Sequence, residues 1–203
     1  MKKFGIGQGV LREEDPRLLR GNGLFVNDVG LPNQAHAVVL RSPHAHAEIL
    51  SIDVSAASCL PGVNAIYTGE DIASDSLGVP GMPVKWLRPD GQPMRYRPQP
   101  PLARNRVRYV GDPVALIIAD TLDQATDAAE TVRVEYEPLP SVTDTAQTVD
   151  ADAPLVWDDY PDNISGLYLA GDEAATNSVF ESAPRIVKRR FTISRVFAHY
   201  MEP

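Results

Sequence analysis

Cysteine is almost missing from this chain: Cys59 is the one thiol in 203 residues. A lone thiol closes no intrachain disulfide, and it cannot supply the roughly four thiolates that hold an iron–sulfur cluster. Any such centre would belong to another chain. Within Ser55-Ala56-Ala57-Ser58-Cys59-Leu60, Cys59 reads as a small buried hydrophobe rather than a nucleophile. Long apolar runs are missing too. Nothing approaches the about 18 residues of a spanning helix, and glycine-rich sequence, not a signal-peptide core, follows Met1-Lys2-Lys3. The expectation is a cytoplasmic protein with no membrane partner. Positive charge is scarce as well: 19 Lys and Arg against 27 Asp and Glu give a net charge of -8. That balance argues against a nucleic-acid partner, whose phosphates call for a basic face. Lys188-Arg189-Arg190 sits inside an alternating pattern and reads as a solvated strand face or a subunit interface.

What is present is an ordinary globular composition, 43% hydrophobic and 23% charged. The length suits one domain with an appendage, or two small domains. Residues 1–20 read as an N-terminal arm. Strands are expected at Gln34 to Arg41, Ala47 to Asp53 and Val63 to Tyr67. A short helix capped by Asp53 or Ser55 ends at Pro61-Gly62, and Thr68-Gly69-Glu70-Asp71 resembles another helix start. Ser74 to Pro101 is crowded with proline, which fixes φ and lacks a donor, so it reads as a loop that docks on a surface. Order returns with strands at Val107 to Tyr109 and Pro113 to Ala119. Thr121 with Gln124 then fits a capping box, and Leu122, Ala125, Ala129 and Val132 fall on one helical face. Val132 to Glu137 alternates as a half-buried strand. Thr143 to Asn163 reads as an acidic linker, Asp172 to Glu181 as a helix, and Val187, Arg189, Phe191 and Ile193 as one face of a last strand. That strand runs into Ala198 to Pro203 without cap or turn, and so is expected to need a partner. These readings divide the chain at residues 1–20, 21–145 and 146–203.

The chemistry-bearing residues form no constellation. His44 and His46 would share a side of an extended segment and could chelate a metal, but further ligands are wanting beyond His36 and His199. They read instead as structural or interface residues. Ser42 has no base pattern beside it. Gly5-Ile6-Gly7-Gln8-Gly9 lacks dinucleotide spacing and a preceding strand, and Gly111-Asp112-Pro113 reads as a turn rather than a phosphate loop, with Gly111 at a point where a side chain is unwelcome. No carboxylate pair stands out for acid–base work.

Several ordered blocks carry a resemblance. Asp15-Pro16-Arg17-Leu18-Leu19-Arg20-Gly21, Phe25-Val26-Asn27-Asp28, Arg41-Ser42-Pro43-His44-Ala45-His46-Ala47 and Leu60-Pro61-Gly62-Val63 stand in that order. Thr68-Gly69-Glu70-Asp71, Val107-Arg108-Tyr109-Val110-Gly111-Asp112-Pro113-Val114-Ala115 and Val134-Glu135-Tyr136-Glu137-Pro138-Leu139-Pro140 follow them. Together they resemble the N-terminal region of molybdenum hydroxylase large subunits, in the carbon monoxide dehydrogenase-like branch of the xanthine dehydrogenase and aldehyde oxidase family. The resemblance implies an α+β fold: an α/β-hammerhead domain over roughly residues 20 to 140, then the start of a molybdopterin-binding domain. It also implies an oxidoreductase that takes oxygen from water, using molybdenum–molybdopterin in a cytosine dinucleotide form. Electrons would leave through iron–sulfur clusters to FAD in partner subunits. The family's molybdopterin-binding residues and glutamate base would fall beyond position 203, so no catalytic, cofactor-binding or metal residue is assigned here.

Two expectations follow. In the first, the chain is the N-terminal part of such a large subunit, inactive alone, packing against the rest of that subunit and against iron–sulfur and flavin subunits. In the second, it is a non-catalytic binding or scaffold module, or a split-gene remnant.

Overall fold

The computed structural model describes residues 9, 11–76, 79, 81, 86–88, 90–191 and 193. Residues 5–8 of the glycine run, His199 and the terminal stretch from Ala198 to Pro203 lie outside the described residues. Contacts divide the chain into a unit of residues 35–186 and a smaller one of residues 1–34 and 187–203.

The larger unit is built on two antiparallel three-stranded sheets. The first has the order β1 (His36–Arg41), β5 (Pro113–Ala119), β3 (Val63–Thr68). β5 is central because its sequence, Pro-Val-Ala-Leu-Ile-Ile-Ala, is almost wholly apolar, while Pro113 sits at its first position, where a missing donor costs least. The second sheet has the order β4 (Arg106–Val107), β2 (Ala47–Asp53), β6 (Arg133–Pro138). A register shift between Ile49 and Ser51 leaves Leu50 exposed.

Among the described residues, four α-helices belong to this unit: α2 (Ser55–Ser58), α3 (Gly69–Ser74), α4 (Leu122–Thr131) and α5 (Glu173–Ser182), with the four-residue α1 (Asp15–Leu18) in the smaller one. α4 lies on the first sheet through Ala125, Ala128 and Ala129, all buried with Ile117 and Ala119. Small side chains at this spacing let helix and sheet approach closely, and the capping box begins the helix: Thr121 Oγ1 accepts from the Gln124 amide at 3.2 Å while Gln124 Oε1 accepts from the Thr121 amide at 3.1 Å. A second cluster, Ala47, Ala103, Val107 and Val114, fills the adjoining region, and Ile52 and Val134 touch both clusters. Asp53, not Ser55, turns the chain into α2, its Oδ1 accepting from the Ser55 amide at 2.9 Å.

Three expectations are corrected. Cys59 is exposed, because α2 ends after one turn and places the thiol on its outer side. The strand expected at Val107 to Tyr109 is confined to Arg106–Val107, since the chain turns at Tyr109 to reach Gly111. Residues 187–191 and 193 form no strand; Phe191 and Ile193 are 85% and 90% exposed, and alternation without a partner edge makes no ladder among the described residues. Within residues 1–20 the chain makes the single turn of α1, and a 3-10 turn follows at Val26–Asp28.

Candidate functional site

Three of the sequence blocks meet at one corner of the larger unit. The loop after β1 brings Ser42, whose amide donates to the Asp112 carbonyl at 2.9 Å and whose carbonyl accepts from the Gly111 amide at 2.8 Å. Arg41 adds a donation from Nη1 to the Gly111 carbonyl at 2.9 Å, and the buried Asp112 carboxylate accepts from the Arg108 amide at 3.0 Å. The segment after β6 closes the corner: the Leu139 amide donates to the His46 carbonyl at 2.9 Å, and His46 Nδ1 lies 3.0 Å from the Pro140 carbonyl. A carbonyl only accepts, so His46 Nδ1 is the donor of this contact, and Nε2 is the other ring nitrogen. That Nε2 is buried without a partner among the described residues. His44 stacks at 4.8 Å from the Tyr136 ring, and burial raises the Tyr136 hydroxyl above its ordinary pKa despite a side-chain hydrogen bond with Ser42.

The two histidines are thus engaged separately, His46 by a backbone carbonyl and His44 by a ring. Ser42 is buried, and its Oγ takes the His44 amide at 3.0 Å, a turn contact rather than a nucleophile's setting. His36 lies in β1. Gly111 takes a φ of 93° in the turn between β4 and β5.

A second feature lies on the far side of Arg108. The segment from Arg95 to Arg97 runs beside the acidic stretch around Trp157. Arg95 pairs with Asp162, Arg97 with Asp159, and Arg106 with both Glu48 and Asp158. Arg97 lies over the rings of Trp157 and Tyr160 at 5.6 and 5.7 Å, and the Arg108 guanidinium is 3.5 Å from the Trp157 ring centre. Burial, then the neighbouring Arg106, pulls Arg108 below its ordinary pKa. A groove of about 860 Å³ opens there, lined by Pro98, Gln99, Arg106, Arg108, Tyr109 and Trp157 among others. Residue-by-residue reading missed this feature. The signal was available: six arginines and one aspartate between positions 88 and 108 face six aspartates and no base between 143 and 163.

Among the described residues no group of three or more His, Cys, Asp or Glu side chains is placed to hold a metal ion. With one cysteine in the chain, the residues here do not fit an iron–sulfur site, and no step through a metal or cofactor is assigned to them. No described helix is long and apolar enough to cross a membrane.

The model of the aldehyde oxidase and xanthine dehydrogenase a/b hammerhead domain matches residues 20–140, the span holding both sheets and the interlocked corner. The chain belongs to this family. The chain is 36% identical, over 97% of its length, to the nicotine 6-hydroxylase large subunit of Paenarthrobacter nicotinovorans, of which it covers 23%. Identity is also 36% to the carbon monoxide dehydrogenase large chain of Afipia carboxidovorans, over 99% of this chain and 25% of that protein. A solved Cu,Mo-carbon monoxide dehydrogenase in its carbon monoxide reduced state superposes with a TM-score of 0.67 at 34% identity, covering 89% of this chain and 23% of that one. The hammerhead chain therefore spans about a quarter of the length of the curated relatives it matches, which are large subunits of molybdenum-type oxidoreductases.

Proposed function

We propose that this hammerhead chain serves as the N-terminal part of a cytoplasmic molybdenum hydroxylase large subunit. There it would pack against the molybdopterin-binding remainder of that subunit and against iron–sulfur and flavin subunits. The observation that carries the reading is the family match over residues 20–140. When bound by the remainder of the protein, the molybdenum cofactor, in its cytosine dinucleotide form, supplies the chemistry that oxidises a small substrate with oxygen from water. The part of this chain is structural: it offers a rigid two-sheet body and leaves apolar side chains for a neighbour to cover. Leu167, Tyr168, Leu169, Val179, Phe180 and Ile186 are all exposed, and such side chains gathered in one stretch mark a contact surface.

The domain division at residues 20 and 145 belongs to the same proposal, the second boundary falling after the chain leaves β6. Co-expression of this chain with the remaining large-subunit segment, followed by pull-down and molybdenum analysis, tests it. A stoichiometric complex that holds molybdenum is the expected result. A stable monomer with no affinity for that segment would overturn the assembly role.

A further inference from the structure

Arginine is the cation of choice between positions 88 and 108, where Arg97, Arg104, Arg106 and Arg108 line the groove, and the arginines of this stretch are not equivalent. Arg88 pairs with Asp90, Arg95 with Asp162, Arg97 with Asp159, Arg104 with Glu70, and Arg106 with Glu48 and Asp158. Among the described residues the Arg108 side chain alone in this stretch makes no ion pair or hydrogen bond to a carboxylate; Asp112 and Asp158 act on its charge only from beyond ion-pair distance. It is also partly buried, so water compensates its charge less than it would at the surface. Its Nε donates to the Val156 carbonyl at 3.2 Å and its Nη1 to the Arg106 carbonyl at 3.3 Å, while no described hydrogen bond uses Nη2. Asp112, the nearest acid in sequence, is turned to the Arg108 amide. Stacking on Trp157 holds the guanidinium plane and offsets part of the burial. The result is a held, partly buried cation, with no described hydrogen bond at Nη2, at the wall of a groove of about 860 Å³.

We propose that this groove binds a carboxylate, which takes the open edge of Arg108 while Trp157 and the Pro98-Gln99-Pro100 wall flank it. A planar carboxylate matches the planar guanidinium fork, and a charge-assisted pair in a partly dry groove is stronger than one on the surface. The carboxylate has two possible sources: a free small acid, or an Asp or Glu side chain from the remainder of the large subunit. The second source rests on the function proposed above.

Trp86 and Trp157 are the two tryptophans, so Trp86→Phe leaves one indole, beside Arg108. The 203-residue chain carrying that change is titrated with succinate against sodium chloride of equal ionic strength, reading Trp157 emission. A saturable response to succinate alone, lost in Arg108→Gln, is expected for a free acid. If succinate gives no saturable response, affinity for the remaining large-subunit segment is measured next. A side-chain source then predicts about tenfold weaker association for Arg108→Gln. Circular dichroism checks that the variant folds; should it not, Arg108→Lys keeps the charge but not the fork and is expected to bind severalfold more weakly. No succinate response together with unchanged association in the variants would overturn the site. Failure of the unsubstituted chain to associate at all would count against the proposed function, and with no succinate response the Arg108 site falls with it.

Discussion

A Cβ placed on Gly69 would lie 2.5 Å from the Ala103 carbonyl oxygen and 2.8 Å from the Arg104 Cα. Both are backbone atoms and cannot swing aside, so Gly69→Ala must push α3 away from the chain leading into β4. Gly111 is constrained differently: nothing lies within 4 Å of its Cβ position, but its φ is 93°. Gly111→Val is therefore expected to cost about 1 kcal/mol or somewhat more through backbone strain, and Gly69→Ala about 2 kcal/mol or more through overpacking. Urea unfolding of both variants checks the pair; equal, negligible losses would mean that the backbone relaxes at both points. The glycine-aspartate-proline turn shows its need for Gly111 in sequence. Gly69 does not, because its requirement comes from residues about 34 positions later in the chain.

The helices start where short oxygen-bearing side chains can take free amides. In α3 the Asp71 carboxylate accepts from the Thr68 amide and hydroxyl, both at 2.7 Å, and the amide bond chiefly holds its pKa below the ordinary carboxylate value. A carboxylate whose folded pKa is depressed stabilises the fold above its unfolded pKa of about 3.9, and that contribution disappears as pH falls through the lower folded value. Asp53 and Asp162 are lowered as well, Asp53 first by the Ser55 hydroxyl and Asp162 first by the Ile164 amide. Asp71→Asn keeps the shape of the cap and removes its charge. Relative to the parent it is expected to lose about 0.5–1 kcal/mol at pH 5, with the gap closing as pH falls below the unfolded value and through the lower folded one. Urea midpoints measured from pH 5 to pH 2 decide it; a gap independent of pH would show that charge plays no part. The caps at Thr68-Asp71 and Thr121-Gln124 were legible in the sequence because they join residues three apart. The strand pattern at Val187 to Ile193 was equally regular, yet alternation specifies a face and not a partner, and the described residues there remain unpaired.

In the larger unit, the acidic segment after β6 is held against the proline-rich loop by the pairs of Arg95 with Asp162 and Arg97 with Asp159, by ring stacking, and by the Arg95 amide donating to the Ser165 carbonyl at 2.8 Å. Partly exposed ion pairs weaken in salt, whose screening length is about 3 Å at 1 M. Hydrogen exchange at the Arg95 amide is expected to accelerate severalfold between 0.05 and 1 M salt, roughly, while the amides of β5 stay protected. Equal protection at both salt levels would place the holding force in packing alone. The sequence by itself determined the local elements, their caps, the central apolar strand and the family blocks, because each rests on neighbours a few residues apart or on apolar period. Tertiary structure alone decided that β5 divides β1 from β3, that His46 faces the Pro140 carbonyl, that Cys59 points outward, and that Arg108 makes no ion pair among the described residues. Those outcomes depend on which distant segments meet, and the chain's order does not fix that pairing until the sheets close.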